Sequence, residues 1–371
     1  MLKRLTVFLA VLALLATVTA CGGGGNADNA GDVPAEETEA TGNVAEEEEA
    51  AGADMPQVTL SLANYLPAGN PIEEYVVNPL TEGLKAGNME VEYFPGATLL
   101  EGDQILDGVI NGTADMGIVA VAYTVGRFPI SFMFEYPMEY VSAKAASYTM
   151  KEAIAELNPE ELSDIKVLFP FCSGPGAFLS KNPITSFEDM KGLQIRANAI
   201  QAESMRAVGA VPATLTMGET YDALRSGIVD AFVGLQDAGY TFKLYEVAQN
   251  MTFYPFCNIA FYVIMSNDTY DSLTDAQKKI VDEVSEKVFT ESASMYQGWS
   301  GQLTIDAVQE NGGELITLSA EEIAKFKEAT GGLLDAYAAG LDADGLNGTE
   351  AKELILRIAA ENNAKYPDNG E

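Results

Sequence analysis

A dense alternation of short strands and helices between residues 181 and 234 constrains the fold more than any other feature. A turn leads into a short apolar strand that ends at Arg196, and an amphipathic helix, a second strand, a second helix and a third strand follow. Strands that alternate with helices predict an α/β fold with parallel pairing, because each helix returns the chain to the same end of the sheet. An arginine at the point where a strand gives way to a helix is a natural binding position for a small anion.

The same alternation extends on both sides of this segment. Before it we predict four strands, over residues 58–63, 90–94, 116–121 and 166–171. The run 116–121 is almost continuously apolar, as in a parallel strand that is covered on both faces. After it, residues 258–266 predict a long apolar strand, and a capping box at residues 274–277 opens a long helix that we predict to run to about residue 304. The expected class is therefore α/β with parallel-rich mixed sheets.

Residues 1–20 are interpreted as the signal peptide of a bacterial lipoprotein. Lys3 and Arg4 precede an apolar stretch over residues 5–17, which is too short to span a membrane. Small residues then lead to Cys21, which predicts cleavage before this cysteine and acylation of its thiol. An ordinary secretory signal with an incidental cysteine is the alternative. Because two acyl chains hold a protein firmly at a bilayer, we expect a protein lipid-anchored to the outer face of the cell membrane.

Residues 21–55 are expected to form a disordered acidic linker. Between residues 22 and 54 the chain has ten acidic residues, no basic residue and no aromatic residue. Such a stretch cannot bury enough apolar surface to offset the entropy lost on ordering. Metal binding by the four consecutive glutamates at 46–49 is the alternative to a solvated run.

Composition narrows the function of the remaining chain. The full chain has a net charge of −34, to which the signal peptide contributes +2 and the linker −10, so the remaining chain carries −26. Such a charge argues against nucleic acid, which needs a basic surface. Histidine is absent, so the usual catalytic base and the most frequent metal ligand are missing. We expect no catalysis, no cofactor and no metal ligands, and a secreted hydrolase built on a carboxylate pair is the enzyme alternative. Cys172 and Cys257 allow either a disulfide or two buried thiols.

Four segments of the chain carry motifs in a fixed order. They read YFPG to TADM at residues 93–116, YTVGRFP at 123–129, DMKGLQIR at 189–196 and ETYDALRSGIVD at 219–230. In this order and spacing they resemble the dicarboxylate-type solute-binding proteins of tripartite ATP-independent periplasmic (TRAP) transporters. The similarity extends from about residue 58 to about residue 287.

The resemblance implies a two-lobed, periplasmic-binding-protein-like clamp with a ligand cleft between the lobes. Lobe I would comprise residues 56–172 with about 262–302, and lobe II would comprise residues 173–261 with about 303–371. The strand over 258–266 would cross between the lobes, and the long helix would brace the hinge.

The implied function is that of an extracytoplasmic receptor that captures a small organic acid and delivers it to TRAP membrane subunits. Its contact with the membrane would be through the lipid anchor only. A substrate-binding lipoprotein of an ATP-driven importer, or a ligand sensor, is the alternative.

The resemblance also implies that Arg196 binds the carboxylate of the ligand. A guanidinium presents paired donors that match the two oxygens of a carboxylate. An ion pair with a nearby acidic side chain is the alternative role for this residue. The other arginines of the mature chain are weaker candidates, namely Arg127, Arg206, Arg225 and Arg357.

Two departures from the family pattern concern further polar anchors. Many members carry a second arginine about twenty residues before the first, where this chain has Gly176, and an asparagine where this chain has Gly234. The absence of both argues against a heavily hydroxylated sugar acid. We therefore expect a smaller or more apolar monocarboxylate.

Seven further candidate ligand-binding residues follow from position, because ligands in such folds bind beyond the carboxyl ends of strands. They are Asn64, Tyr65, Tyr123, Phe171, Met217, Gln236 and Asn258. Core packing is the alternative role for the tyrosines, the phenylalanine and the methionine. Asn198 and Glu219 are interpreted as residues that cap or brace neighbouring helices.

Overall fold

The computed structural model of the protein describes residues 55–295 and 297–367. The signal peptide, Cys21 and nearly all of the expected linker therefore lie outside the described residues. Within the described part of the chain, no helix combines the length and the apolar character that a bilayer crossing requires.

Eleven strands of the described chain form two separate sheets. They are β1 (Val58–Ala63), β2 (Met89–Phe94), β3 (Met116–Ala120), β4 (Ile165–Cys172), β5 (Gly176–Ser180), β6 (Gln194–Ala197), β7 (Val211–Thr214), β8 (Ala231–Gly234), β9 (Asn250–Tyr254), β10 (Ala260–Ser266) and β11 (Leu315–Thr317).

The α-helices of the described residues cover the faces and edges of these sheets. They are α1 (Asn78–Leu84), α2 (Ile105–Ile110), α3 (Ala143–Leu157), α4 (Ala199–Ala207), α5 (Met217–Ser226), α6 (Ala238–Thr241), α7 (Asn267–Ser272), α8 (Asp275–Glu291), α9 (Gln297–Glu310), α10 (Ala320–Thr330), α11 (Leu333–Ala343) and α12 (Gly348–Lys365).

The first sheet has the strand order β2-β1-β3-β10-β4. β1 pairs parallel with β2 and β3, whereas β10 is antiparallel to both β3 and β4. Every residue of β10 is buried, because successive side chains alternate between two apolar cores: Tyr262 belongs to one core, and Phe261 and Val263 belong to the other. This two-sided burial explains the uninterrupted apolar run in the sequence.

The second sheet has the order β11-β9-β5-β8-β6-β7. β6 lies between β7 and β8 and is parallel to both, while β5 is antiparallel to β8 and β9. Arg196 of β6 is therefore level with Ala213 on one neighbour and with Phe232 on the other. Both sheets are mixed, as expected from the sequence.

The chain passes between the sheets at residues 173–175, between β4 and β5, and at residues 255–259, between β9 and β10. These two crossings are joined, since the amide of Ser173 donates to the carbonyl of Ile259 at 2.9 Å and the amide of Ile259 donates to Ser173 Oγ at 2.9 Å. The strand predicted over 258–266 thus begins in a crossing and ends in the first sheet.

The single long helix predicted from residue 274 to about residue 304 is in fact two helices, α8 and α9. α8 packs against α1 and β4, which belong to the first sheet and its cover, whereas α9 packs against α6 and β9 on the side of the second sheet. The helix is interrupted after Glu291 because its two halves bury their apolar faces on different sheets.

The C-terminal residues do not all follow the expected lobe boundary. α10, within the range 303–371 that was assigned to lobe II, packs on the second sheet through Phe326. α12 instead packs on α3 and α11 packs on α12, and residues such as Leu334 and Ile355 share an apolar core with Met150 of α3. The apolar faces of these last two helices therefore complete the first lobe rather than the second.

Both described cysteines are free thiols in the interior. Cys257 Sγ accepts a hydrogen bond from Gln201 Nε2 at 2.9 Å, and burial raises the pKa of its thiol to about 12. Burial also raises the pKa of the Cys172 thiol well above its ordinary value. The structure thus favours two buried thiols over the disulfide that the sequence left open.

Candidate functional site

A cavity with about 450 Å³ of empty space, part of it open to solvent, lies between the loops of the two sheets. The first sheet contributes the ends of β1 and β3 and the start of β10, and the second sheet contributes the ends of β6 and β8 and the start of α5. Much of the wall is apolar, with Phe232, Leu235, Phe242, Ile259 and Phe261 among the lining residues.

Arg196 lies in this wall with only 3% of its surface exposed. Its Nε donates to the carbonyl oxygen of Leu215 at 2.9 Å, and its Nη2 donates to Tyr123 Oη at 3.4 Å. The guanidinium carbon is 5.5 Å from the centre of the Phe232 ring, within the range of a cation–π contact. The position of the guanidinium is thus set by three neighbours, none of which is an anion.

Arg196 forms no ion pair with any described residue, which sets it apart from most other arginines of the described chain. Arg127, Arg225 and Arg357 are exposed and pair with acidic side chains at the surface. Arg206 is exposed on α4. A buried charge without a counterion is strongly unfavourable, so the geometry of Arg196 is that of a site for an anion.

Tyr123 connects the two sides of the cavity. It follows β3 of the first sheet, and its hydroxyl oxygen accepts hydrogen bonds from Arg196 Nη2 and from the amide of Met217, the latter at 3.1 Å. Both donors belong to the second sheet or its helices. Because the oxygen accepts twice, the hydroxyl hydrogen can be donated to a ligand beside Arg196. The Tyr123 ring also meets the Tyr65 ring edge-on, with ring centres 5.3 Å apart.

A buried carboxyl group lies directly behind the cavity wall. Glu135 is 2% exposed; Asn198 Nδ2 donates to its Oε2 at 3.2 Å, and the amide of Ala260 donates to its Oε1 at 3.2 Å. Burial raises the pKa of Glu135 to about 8, and the hydrogen bonds from Ala260, Asn198 and Ala122 lower it only in part. Glu135 is therefore mostly protonated at neutral pH and links Asn198 of the second sheet to β10 of the first.

The structure brings together four of the eight residues that the sequence analysis selected as ligand-binding. Arg196, Tyr65, Tyr123 and Met217 all line the cavity. Asn198 and Glu219 occupy capping boxes, at the starts of α4 and α5 respectively, as interpreted. Asn198 also lines the cavity, so it has a place in the wall in addition to its role as a cap.

The other four selected residues do not line the cavity, because their polar groups are engaged elsewhere or their rings are in the core. Asn64 Nδ2 donates to Tyr93 Oη at 3.0 Å, and Asn258 Nδ2 donates to the carbonyl of Phe134 at 2.7 Å. Gln236 Nε2 donates to the carbonyl of Pro175 at 2.9 Å. Phe171 is fully buried and stacks on Phe261, which itself lines the cavity.

The two departures from the family pattern have a steric explanation. A Cβ atom at Gly176 would lie 2.5 Å from the carbonyl oxygen of Gly234 and 2.9 Å from Cys257 Cβ. A Cβ atom at Gly234 would lie 2.4 Å from the Phe232 ring. The space that a larger side chain would need is therefore already occupied, by backbone beside Gly176 and by the Phe232 ring beside Gly234.

Sequence reasoning missed Phe232, Glu135 and Asp237. Phe232 was placed inside a predicted strand without a role, although its neighbour across the sheet is Arg196. Glu135 lies in a short 3-10 helix, Ser131–Glu135, that carries no motif. Asp237 lies three residues beyond β8. The rule that ligands bind beyond the carboxyl ends of strands applies equally to Asp237 and to its neighbour Gln236, and Gln236 was selected.

The fold and the site together define a two-lobed solute receptor with its binding cavity between the lobes. The profile of the DctP family, described as "Bacterial extracellular solute-binding protein, family 7", matches residues 62–340. The chain therefore belongs to this family, the solute-binding proteins of TRAP transporters. Its members are substrate-binding receptors outside the cytoplasm rather than enzymes, and they work with TRAP membrane subunits.

Three relatives illustrate the similarity. A solute-binding protein of Sulfitobacter sp. (strain NAS-14.1) is 30% identical over 202 residues, which are 53% of this chain and 60% of that protein. The ectoine-binding periplasmic protein TeaA of Halomonas elongata is 23% identical over 284 residues, which are 73% of this chain and 80% of that protein. A TRAP solute-binding protein from a marine metagenome, specific for aromatic acid ligands and solved with 3-hydroxybenzoate, is 25% identical with a TM-score of 0.76, covering 83% of this chain and 99% of that one.

Proposed function

We propose that this protein captures a small organic acid outside the cytoplasm, holds its carboxylate on Arg196 and delivers it to a TRAP importer. The single observation that carries the proposal is the buried guanidinium, which faces a cavity and has no anionic partner among the described residues. Family membership supports the delivery step. The role is binding without catalysis, which agrees with a family of receptors and with a chain that has no histidine.

The ligand's carboxylate would be held by donors from both lobes. Two or more N–H groups of Arg196 and the O–H group of Tyr123 can converge on it, and such charge-assisted hydrogen bonds are about twice as strong as neutral ones. The remaining wall is aromatic and aliphatic, so the body of the ligand would be compact and partly apolar. The metagenome relative solved with an aromatic acid is consistent with a cavity of this kind.

Hydrogen bonds between the lobes would hold the clamp closed over the ligand. Tyr123 contacts Met217, Glu135 contacts Asn198, and Tyr136 Oη donates to Glu203 Oε2 at 2.9 Å. Each of these bonds joins a segment near the first sheet to a segment of the second. Closure excludes water, which strengthens the ionic contact inside.

The test is a thermal-shift screen in which each carboxylic acid is paired with its own primary amide. Benzoate, 3-hydroxybenzoate, mandelate, pyroglutamate and succinate form a suitable first panel. We expect at least one acid to raise the melting temperature by several degrees, since a ligand at one hundred times its Kd adds about 2.7 kcal/mol to the free energy of unfolding. The matched amides should be inert, and equal shifts from acids and amides would contradict a carboxylate receptor.

We also propose that the protein is anchored to the outer face of the membrane through Cys21, which lies outside the described residues. The support is the sequence pattern of small residues before this cysteine and the acidic segment after it. Bacteria that express the protein are extracted with a detergent that separates into two phases on warming. The wild-type protein should enter the detergent phase, and the Cys21→Ser variant should enter the aqueous phase. A Cys21→Ser protein that stays with the detergent would contradict the anchor.

A further inference from the structure

Glu135 lies at a point where hydrogen bonds hold the two lobes together. Its Oε2 accepts from Asn198 Nδ2 at 3.2 Å, and the next residue, Tyr136, donates to Glu203 Oε2 at 2.9 Å. Asn198 caps α4 and Glu203 lies within it, so both partners belong to the helix that follows β6 of the second sheet. The other carboxyl oxygen of Glu135 accepts from the amide of Ala260, at the start of β10 in the first sheet. The carboxyl group is therefore enclosed between the first lobe and one helix of the second.

The hydrogen-bond donors that the described residues give this carboxyl group are uncharged. They are the side-chain amide of Asn198 and the backbone amides of Ala260 and Ala122. Glu135 is 2% exposed, and a carboxylate that leaves water for such surroundings loses free energy of hydration that neutral donors replace only in part. The closed arrangement of the lobes therefore favours the protonated form, in agreement with the raised pKa of Glu135.

Other ionisable groups face Glu135 from the segments packed against it. Those whose pKa an ionised Glu135 would raise lie beyond β1, at the end of β4 and in the crossing between the sheets; they are Tyr65, Cys172 and Cys257. Burial is the main cause that raises all three pKa values, so these groups stay uncharged near neutral pH. On either side of Asn198 in the sequence, Arg196 and Glu203 bond to groups other than Glu135. Enclosure by the lobes is therefore the main influence on the protonation of Glu135.

We propose that Glu135 takes up a proton from the surrounding solution when the lobes close over a ligand, and releases it when they open. The inference rests on the proposed function, since it concerns closure of the clamp over an acid bound at Arg196. When the clamp opens, Asn198 moves away from Glu135 because the two residues belong to different lobes, and water reaches the carboxyl group. A hydrated glutamate is ionised at neutral pH. Closure therefore forms an O–H bond on Glu135, and the buffer supplies the proton.

This coupling makes capture of the acid stronger at low pH. The closed state binds a proton that the open state releases, so a lower pH favours closure and raises the affinity for the ligand. The effect extends from the pKa of an exposed glutamate, about 4.3, to that of the enclosed Glu135, about 8. The chain has no histidine, the side chain that most often makes a protein sensitive to pH in this interval. A carboxyl group would therefore perform that role here.

Titration calorimetry tests the coupling by counting protons. The probes are benzoate, 3-hydroxybenzoate, mandelate and pyroglutamate, whose carboxyl groups are ionised throughout the range from pH 6 to pH 8. Each acid that binds is titrated at pH 6.5 in PIPES and in imidazole, two buffers with different enthalpies of ionisation, so that the difference in heat gives the number of protons taken up. We expect about 0.7 to 1 proton per ligand, and a Kd that rises about ten- to fiftyfold from pH 6 to pH 8. Heats that do not depend on the buffer, together with equal Kd values at the two pH values, would overturn the inference.

Variants assign the proton to Glu135. The amide of Glu135→Gln resembles a protonated carboxyl group and does not ionise, so we expect no proton uptake and the same Kd at pH 6 and pH 8. Glu135→Met serves the same purpose if the glutamine variant does not fold, as judged by circular dichroism. Glu161→Gln is the matched control. Burial also raises the pKa of Glu161, but this carboxyl group accepts from the amides of Ile130 and Ser131 within the first lobe, so its removal should leave the proton uptake unchanged. Undiminished uptake in the Glu135 variants would refute the role of this residue.

The outcomes also separate this inference from the proposed function. An acid that binds to the wild type without proton uptake, and whose binding is lost in Arg196→Met, would leave the carboxylate receptor intact and remove only the coupling to Glu135. Failure of every one of the four acids to bind would overturn both proposals together.

Discussion

Arg196→Met is expected to abolish binding of the acid without lowering the stability of the ligand-free protein. Removing one partner of a buried ion pair costs about 3–5 kcal/mol, which corresponds to a loss of affinity of more than about one hundredfold. In the ligand-free protein the same charge is buried without an anion among the described residues, so its removal also eliminates a desolvation penalty. Methionine fills a similar volume and adapts to its surroundings. We expect the free energy of unfolding to change by less than about 1 kcal/mol or to rise.

Titration calorimetry and urea unfolding on the same preparations check both halves of this prediction. Arg206→Met is the matched control, because Arg206 is exposed on α4 and should matter for neither property. Tyr123→Phe removes one donor and the contact with Nη2, and it should weaken binding by about tenfold. An Arg196→Met protein that is strongly destabilised but still binds acid would show that the arginine is structural.

The stability of the protein is expected to fall between pH 5 and pH 8 because of Glu135. Its pKa is raised to about 8 by burial, whereas an unfolded glutamate has a pKa of about 4.3. Between these values the folded state keeps a proton that the unfolded state releases, so the free energy of unfolding declines as the pH rises and levels off above pH 8. The loss over this interval is on the order of 3 kcal/mol.

Comparison with Glu135→Gln isolates this effect. The variant has no proton to lose at this position. From pH 5 to pH 8, the free energy of unfolding of the wild type should therefore fall by about 3 kcal/mol relative to that of the variant. The substitution can also have a cost that is the same at every pH, such as the lost acceptor for Asn198 Nδ2. Such a cost does not alter how the difference in unfolding free energy changes with pH. Glu161, whose pKa is also raised by burial, contributes equally to both proteins. Parallel pH profiles would show that Glu135 is ionised in the folded state.

Local patterns predicted β1, the long apolar strand β10 and several helices that have clear caps. β1 has the predicted bounds, and the apolar run before residue 266 is β10. β5 and β9 were missed, because they are buried on both faces and lack the alternation that marks a strand with one exposed face. The break after Glu291 could not be predicted either, since residues compatible with a helix continue through it and only packing on two different sheets ends α8.

The site was predictable only where chemistry and position coincide in the sequence. Arg196 has both, as a guanidinium near the end of a strand within a recognisable motif. Asn64, Gln236 and Asn258 have suitable positions, but their side chains bond to groups that the sequence places 29 to 124 residues away. Glu135 depends in the same way on contacts with Asn198 and Ala260, which lie far along the chain. Local reasoning identifies the segments of such a site more readily than the direction of each side chain.

The most direct test of the account is a crystal structure of the protein with a bound acid from the thermal-shift screen. We predict that both carboxylate oxygens lie within about 3 Å of nitrogens of the Arg196 guanidinium, inside the cavity between the two lobes. A structure in which the carboxylate is held elsewhere, while Arg196 contacts only protein groups, would contradict it.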